Sequence, residues 1–169
     1  MGKGWINGIL FLLFLFEGTI FQFLTADRYG SSYGIVPRFV LATIIFISIF
    51  KGKTYGLYVG LFFGFLQDIV YGNVIGVYTI GMAAIGYFSG WLIQYFHPSL
   101  SIYVLFQLFS QLLFELYLYG MLRLFHLIDI SIEWSMLHLM IPSVVVNVAF
   151  AILVYKPYFR LIQEKRKDG

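Results

Sequence analysis

Residues 56–76 read GLYVGLFFGFLQDIVYGNVIG, and this stretch decides the class of the fold. Small or charged residues recur in it at every fourth position: Gly56, Gly60, Gly64, Asp68, Gly72 and Gly76. In water, so many glycines would weaken a helix. In a bilayer, small residues at this spacing make a smooth face on which a second helix can pack closely. The first three glycines, named the glycine seam, are therefore predicted to pack against a neighbouring helix, and the chain is predicted to turn at the membrane surface after Asp68.

The composition of the whole chain is that of an integral membrane protein. Of its 169 residues, 60% are hydrophobic, 21% are aromatic and only 11% are charged, whereas a soluble domain carries about 25% charged residues. The chain has no cysteine, which excludes a disulfide framework and a Cys-ligated metal site. Its basic residues lie in loops and at the C-terminus, so they form no nucleic-acid-binding patch.

Six apolar segments approach the length of about 20 residues that a membrane-spanning helix needs. They cover residues 4–24, 35–50, 54–70, 76–96, 100–124 and 134–155. The sequence therefore predicts a single membrane domain, an all-α bundle of six transmembrane helices, followed by a short basic tail at residues 156–169. Only Lys51-Gly52-Lys53 separates the second segment from the third, which predicts a tight antiparallel hairpin. Because both segments are short, a bundle of five spans with one of them re-entrant is the alternative.

The distribution of Lys and Arg predicts the orientation of the bundle. With six spans and the N-terminus inside, the inner side holds most of the basic residues: Lys3, Lys51, Lys53, Lys156, Arg160, Lys165, Arg166 and Lys167. The outer side then holds Arg28, Arg38 and Arg123. This excess favours both termini in the cytoplasm. Six spans leave no room for a soluble catalytic domain. Any function is therefore expected to lie in the bundle, in its loops or in a molecule that the bundle binds.

The fifth predicted helix carries a polar stripe on a surface of Leu and Phe. The stripe recurs every fourth residue: Tyr103, Gln107, Gln111, Glu115, Tyr119 and Arg123. Residues four apart share a helix face, and polar groups that face lipid are costly, so the stripe is predicted to face protein or a wet cavity. It could bind a partner or a ligand, or it could hold the helices together by hydrogen bonds. Both interpretations stay open for the glutamines, whereas Glu115 favours a functional site.

Glu17, on the first predicted helix, is the second acid at membrane depth. A buried carboxylate needs a cationic partner or a proton, and Arg38 and Arg123 are the candidate partners for Glu17 and Glu115. Such a pair could serve a proton-coupled carrier or a static contact between helices. No transport motif is visible, which favours the static contact.

Two prolines and one asparagine are predicted to shape individual helices. Pro37 is predicted to lie in the first turn of the second helix, where its missing N–H costs little. Pro142 is predicted to kink the last helix and to leave one carbonyl group in need of another partner. Asn147 is predicted to donate a hydrogen bond to a neighbouring helix.

No arrangement of residues typical of catalysis is visible. His97, His126 and His138 are scattered and lack the spacing of metal ligands. There is no Ser/His/Asp set, no pair of catalytic carboxylates and no phosphate-binding loop. The sequence therefore predicts no enzyme activity, no metal site and no cofactor.

The segment GFLQDIVYGNVIG, residues 64–76, resembles the central motif of the rod shape-determining protein MreD family. Members of that family typically show a glycine, a few apolar residues, an aspartate and two further glycines, followed by another apolar helix. The position of Pro37, the short basic hairpin, the glycine-rich fourth span and the total length are also similar. The resemblance covers the whole chain in architecture and residues 56–90 in specific pattern.

The resemblance implies a non-enzymatic scaffold of the cell-elongation machinery in the bacterial inner membrane. Its implied partners are MreC, which has one membrane helix and an extracytoplasmic domain, and indirectly the MreB filament and the peptidoglycan synthases of the side wall. On this interpretation the glycine seam, or the polar stripe of the fifth helix at Gln107, Gln111 and Glu115, contacts another chain. Self-association is left open.

The family also resembles, in fold, the substrate-binding membrane subunits of energy-coupling-factor vitamin transporters. That likeness implies an alternative function, the binding of a small ligand in a pocket open to the outside and lined by Glu115, Tyr119 and Arg123. An autonomous ion or proton channel is less favoured, because the chain has few charges at membrane depth and no pore-lining series that recurs on several helices.

Overall fold

The structure, a computed structural model, describes residues 4–24, 34–97 and 99–167, and the side chains of residues 6–20, 34–97 and 99–160. Within these ranges all regular secondary structure is helical. The helices are α1 (Gly4–Leu24), α2 (Phe39–Lys51), α3 (Lys53–Tyr71), α4 (Val77–Leu92), α5 (Leu100–Leu124), α6 (Ile132–Ser135) and α7 (Ile141–Lys167). A 3₁₀ turn (Ile93–Tyr95) extends α4, and a π-helical turn (Met136–Met140) joins α6 to α7.

Two helical segments of the described chain are long and apolar enough to cross a membrane, Leu100–Leu124 and Ile132–Arg160. The second of these comprises α6, the π turn and most of α7. Ile6–Ile20 and Phe39–Lys51 are shorter apolar helices. The two long helices support the prediction of a membrane protein, while the six-span bundle stays a prediction.

α2 is the central helix of the fold. Its residues from Phe39 to Ile49 are buried, and the helix packs against α1, α3, α4, α5 and α7. A helix that is apolar on all sides is expected to be surrounded by other elements, and Thr43 and Ser48 are the polar residues within this buried run. The uniformly apolar sequence of α2 therefore explains its central position.

α2 and α7 run in the same direction. The ring of Phe39 packs on Phe150 at a centroid distance of 4.2 Å, and the ring of Phe50, near the other end of α2, packs on Phe159 at 5.6 Å. The N-termini of both helices therefore lie at one end of the bundle. That end also holds the connection between α3 and α4, residues 72–76, and is named the turn end. The opposite end, where α2 meets α3, is named the hairpin end.

The connection between α2 and α3 is a single residue, Gly52. Its φ of +100° lies in the region that glycine adopts most readily, and its N–H donates to the carbonyl oxygen of Ser48 at 3.0 Å. This turn confirms the predicted tight hairpin.

α2 begins at Phe39, four residues later than the predicted start at residue 35, and the prediction that Pro37 lies in its first turn is wrong. Residues 34–38, named the lead-in segment, are not helical. The ring of a proline disfavours the helical conformation of the residue before it, which keeps Val36 out of the helix. Side chains of other helices bond to the backbone of this segment, as described below, and replace the missing helical bonds.

One of the two effects predicted for Pro142 is observed, a carbonyl group that finds a partner outside its helix. Pro142 has no N–H, so the carbonyl group of His138, four residues earlier, loses its helical donor. The helix passes through the π turn just before this point. The carbonyl oxygen of His138 accepts the N–H of Gly34 instead, at 3.3 Å. The irregular part of the last helix is thereby joined to the lead-in segment.

The predicted basic tail continues α7 as helix as far as Lys167. Pro157 lies inside this helix without ending it. Tyr155 and Phe159 stack on each other at 5.8 Å and 11°, and Phe50 of α2 contacts both rings. The first turn beyond residue 155 therefore belongs to the packed bundle, because its aromatic side chains bury against α2.

Candidate functional site

The glycine seam faces α4 and is fully used inside the chain. A Cβ atom added to Gly60 would lie 2.6 Å from the carbonyl oxygen of Met82, and one added to Gly64 would lie 2.7 Å from the Cα of Thr79. Real Cβ atoms are almost never found closer than 3.0 Å to such atoms. The backbones of α3 and α4 are thus in direct contact. The seam is an interface within the chain, and α4 covers the face that another protein would need.

Glycines on α4 complete this contact from the other side. A Cβ on Gly86 would lie 2.5 Å from the carbonyl oxygen of Gly56, and one on Gly90 would lie 2.6 Å from the Cα of Lys53. The hydroxyl of Ser48 donates to the carbonyl oxygen of Gly86. α2 is therefore bonded to α4 near the hairpin end.

The carboxylate of Asp68 caps α4. It accepts the backbone N–H groups of Gly76, Tyr78 and Thr79, each at 2.9 Å, and also the hydroxyl of Thr79. The first N–H groups of a helix have no partner within the helix, and a negative charge is favourable beside them. Asp68 is 1% exposed. Asp68 therefore closes the predicted turn by capping the helix that follows it.

Gly72 and Gly76 are required by the turn itself. A Cβ on Gly72 would lie 2.5 Å from the carbonyl oxygen of Asp68, and Gly76 has a φ of +105°. A side chain at position 72 would collide with α3. A side chain at position 76 would strain the backbone, because only glycine adopts this φ readily. The part of the motif after the seam is therefore a turn closed by its own aspartate.

Side chains of α7 bond to the backbone of the lead-in segment. The N–H of Val36 donates to Oγ of Ser143 at 2.9 Å, and the carbonyl oxygen of Val36 accepts Nδ2 of Asn147 at 3.2 Å. Oδ1 of Asn147 accepts the N–H of Arg38 at 2.8 Å. Inside a membrane, non-helical backbone is tolerated only where protein or water supplies such partners. Asn147 donates as predicted, but its partner is the segment that precedes α2.

Glu17 of α1 lies at the N-terminus of α2. Its Oε2 accepts the N–H of Val40 at 2.9 Å, and its Oε1 accepts Nε2 of Gln67 at 2.9 Å. The side chain is buried, and a carboxylate is favourable at the positive end of a helix dipole. One carboxylate thus joins α1, α2 and α3.

Arg38 and Glu115 form a buried ion pair. Nε of Arg38 lies 2.5 Å from Oε1 of Glu115, and the two side chains are 6% and 11% exposed. The guanidinium also lies 5.0 Å from the ring centroid of Phe114 and 5.6 Å from that of Tyr78, within the range of cation–π contacts. Of the two arginines proposed as partners, the structure selects Arg38 for Glu115.

The C-terminal end of the α5 stripe serves a different contact. Nη1 of Arg123 donates to the hydroxyl of Tyr119 at 2.7 Å, and that hydroxyl donates to the carbonyl oxygen of Ile130 at 2.8 Å. Arg123 itself is exposed. The three residues predicted to line a ligand pocket thus separate, because Glu115 contacts Arg38 of the lead-in segment, while Tyr119 and Arg123 contact each other and the loop after α5.

The middle of the α5 polar stripe faces α2. Nε2 of Gln107 donates to the carbonyl oxygen of Ala42 at 2.7 Å and to the hydroxyl of Tyr103 at 3.0 Å. Gln111 is fully buried, and neither of its side-chain polar atoms has a protein hydrogen-bond partner. Gln107 and Glu115 therefore hold helices together, and this middle part of the stripe is not free for another chain. Oε1 of Gln107 and both side-chain polar atoms of Gln111 are buried without a protein partner.

Gln67 and Ser143 make contacts that no spacing rule predicts. Gln67 does carry a signal, since it is a polar residue in an apolar helix and such residues usually have a specific partner. Ser143 carries none, because serine is common in membrane helices. Together with Glu17, Arg38, Glu115 and Asn147, they form the buried polar network of the turn end.

A cavity of about 50 Å³ lies beside this network. Its lining comprises Glu17, Val36, Pro37, Arg38, Gln67, Tyr71 and Tyr78. Among the described residues, no group of three or more His, Cys, Asp or Glu side chains is placed to hold a metal ion. The site is thus a set of paired charges and amides around a small polar cavity.

A family model of the rod shape-determining protein MreD matches residues 3–165, nearly the whole chain. The chain belongs to the MreD family. A relative from Bacillus subtilis (strain 168), named rod shape-determining protein MreD, is 27% identical over 148 residues, which are 88% of this chain and 83% of the relative. No solved structure matches the chain, so the likeness to vitamin-transporter subunits stays a prediction.

Membership in the MreD family confirms the resemblance carried by residues 64–76 and implies a role in rod shape determination. The family is one of shape-determining proteins and is not a known enzyme family. Together with the two long apolar helices, it indicates a membrane protein. In this chain, residues 56–76 form the α3–α4 packing face and its capped turn.

Proposed function

We propose that this protein is a non-enzymatic membrane scaffold of the bacterial cell-elongation machinery, which binds MreC and helps to position peptidoglycan synthases. The observation that carries the proposal is the family match over residues 3–165. The chemistry of the interior supports it. Buried charges and amides in the described residues bond mainly to backbone groups and to each other, and so they stabilise a shape.

The scaffold is proposed to cross the membrane six times, with both termini in the cytoplasm. α1 to α5 would each supply one span, and α6 with α7 the sixth. The parallel course of α2 and α7 supports this topology, because the second and sixth spans of an alternating bundle run in the same direction. The turn end then faces outward, and the hairpin end, with Lys51 and Lys53, faces the cytoplasm.

The surface proposed to bind MreC is a groove between α4 and α5 on the outer surface of the bundle. The glycine seam and the middle of the α5 polar stripe are not available for this contact, because other helices of the chain cover them. The groove has a volume of about 380 Å³, and its lining is mostly apolar. Its small residues include Gly81, Ala84, Ser89 and Ser110, and small residues let a further helix approach closely in a membrane. The single membrane helix of MreC is the proposed occupant.

Site-specific photo-crosslinking tests this proposal. A photoreactive residue at Ala84, in the groove, is expected to crosslink to co-expressed MreC in membranes. The matched control is Leu153 on α7, which is 76% exposed and is expected to face lipid. Crosslinks of equal yield from both positions, or only from residue 153, would exclude the groove. A protein that neither co-purifies with MreC nor crosslinks to it from any lipid-facing position would contradict the scaffold itself.

A further inference from the structure

Three aromatic rings meet at the hairpin end, and each is followed in the sequence by a cation. Phe50 of α2 packs on Tyr155 at a centroid distance of 6.3 Å and on Phe159 at 5.6 Å. The residues that follow these rings are exposed cations: Lys51, Lys156 and Arg160. Successive side chains on a helix point about 100° apart, so the rings pack inwards while the cations border them on the outside.

A fourth cation, Lys53, extends this group across the hairpin turn. Nζ of Lys53 lies 5.7 Å from the ring centroid of Tyr87 on α4, and Nζ of Lys51 lies 5.5 Å from that of Tyr55. Such cation–π contacts hold an ammonium group in place without neutralising its charge. The four cations are named the basic rim: Lys51, Lys53, Lys156 and Arg160.

The acids with described side chains all lie towards the opposite end of the bundle. Three of them bond to Arg38 or to the N-termini of α2 and α4, and two precede the N-terminus of α7: Glu115, Glu17, Asp68, Asp129 and Glu133. In the described part of the chain, no carboxylate therefore lies at the hairpin end to compensate the basic rim. Residues 161–169 carry three cations and two acids, so they do not cancel its charge.

A surface with this charge attracts anions, and its place in the bundle selects a lipid headgroup among them. Ile152 and Leu153 lie on α7, four and three residues before Lys156, and so share its helix face. They are 45% and 76% exposed. A phosphate held at Lys156 would thus have exposed apolar side chains beside it, on which its acyl chains can lie. Clusters of Lys and Arg at the cytoplasmic ends of membrane helices attract anionic lipids in this way.

We propose that the basic rim binds the phosphate of an anionic glycerophospholipid, whose acyl chains lie along Ile152 and Leu153. Lys53, Lys156 and Arg160 surround the headgroup from the hairpin turn and from α7. The choice of a lipid rests on the proposed membrane topology, which places the hairpin end at the membrane surface. It does not rest on the binding of MreC.

Titration of lipids into the purified chain in neutral detergent micelles tests this site, with native mass spectrometry as the readout. Phosphatidylglycerol is expected to bind more tightly than phosphatidylcholine with the same acyl chains. A high concentration of ammonium acetate is expected to reduce this difference, because salt screens exposed charges. Equal binding of the two lipids would overturn the proposal.

Lys156→Gln/Arg160→Gln removes two charges of the basic rim and keeps polar side chains on the surface. Each cation near an anionic headgroup contributes about a five-fold gain in affinity, so the double variant is expected to bind phosphatidylglycerol about 25-fold more weakly. Arg123→Gln, which removes an exposed cation at the turn end, is the matched control and is expected to leave the affinity unchanged. Equal losses from both variants, or no loss from the double variant, would overturn the basic rim as the site. The comparison of the two lipids on the unsubstituted protein is decisive if the double variant does not fold.

Inorganic phosphate and a polyglutamate peptide separate the lipid from other anions. Neither is expected to displace phosphatidylglycerol, because neither has an acyl chain to lie on Ile152 and Leu153. Displacement by inorganic phosphate at the concentration of the lipid would overturn the lipid in favour of a free phosphate, and displacement by the peptide would overturn it in favour of an acidic protein segment. The chain is measured without MreC, so the outcome is independent of the crosslinking experiment on the scaffold.

Discussion

Arg38 connects more parts of the molecule than any other charged residue described above. Its backbone N–H bonds to Asn147 of α7, its side chain bonds to Glu115 of α5, and its guanidinium lies over the ring of Tyr78 on α4. A buried ion pair adds little net stability compared with apolar residues of the same shape, but the loss of one partner leaves a buried charge unpaired. The pair therefore determines how α2 and α5 are placed.

Glu115→Gln is predicted to lower the free energy of unfolding by about 3–5 kcal/mol, because Arg38 would stay buried without its carboxylate. The double variant Arg38→Met/Glu115→Leu is predicted to recover most of this loss. Reversible unfolding of the purified protein in mixed micelles measures both effects.

The control for this pair is Arg123→Met, since Arg123 is exposed and contacts only its own helix in the described bonds. Its effect is expected to stay within about 0.5 kcal/mol. If Glu115→Gln proved as stable as the unsubstituted protein, or if the double variant proved no more stable than the single one, the ion pair would not be the contact that holds α5 on α2.

At the scale of the helices, backbone contact between α3 and α4 is the most extensive packing in the described structure. It depends on glycine at matching positions of both helices, since added Cβ atoms would meet backbone that cannot move aside. The capped turn at Asp68 joins the same two helices at the turn end. The two helices thus behave as one preassembled unit.

Gly60→Leu is predicted to prevent stable accumulation of the protein in membranes, because the side chain would force α3 and α4 apart. Gly60→Ala is predicted to be milder, with a loss of about 1–3 kcal/mol from overpacking. Leu61→Ala, at a lipid-facing neighbour that is 39% exposed, is the matched control and is expected to accumulate normally. Membrane immunoblots and unfolding curves measure these outcomes. Normal accumulation of Gly60→Leu with selective loss of MreC capture would instead show a seam that binds another chain.

The start of α2 shows where local patterns fail. An apolar run from residue 35 predicts helix, and Pro37 is compatible with a first turn. The alternative, a non-helical lead-in segment, is stable only because Ser143 and Asn147 supply hydrogen bonds from α7. Those residues are more than 100 positions away in the chain, so no local window of sequence contains the information.

For the whole molecule, the proposed topology can be tested with single cysteines, since the chain has none of its own. Asn73→Cys, in the exposed part of the α3–α4 connection, is predicted to react with a membrane-impermeant thiol reagent added to intact cells. Lys156→Cys, exposed near the hairpin end, is predicted to react only after the membrane is permeabilised. The opposite pattern would invert the orientation, and labelling of both sites in intact cells would contradict the odd number of spans proposed between residues 73 and 156.

Composition and short-range spacing were enough to predict the class of the protein, the glycine seam with its turn, the hairpin at Gly52 and the family, because these features are encoded locally. The tertiary structure decided which partner each polar group found. It paired Glu115 with Arg38, 77 positions away, placed α4 over the seam and turned the middle of the α5 stripe towards α2. These outcomes depend on how helices that are distant in the sequence are arranged around α2. The periodicity of one helix indicates which residues share a face, but it does not indicate which neighbouring helix that face will contact.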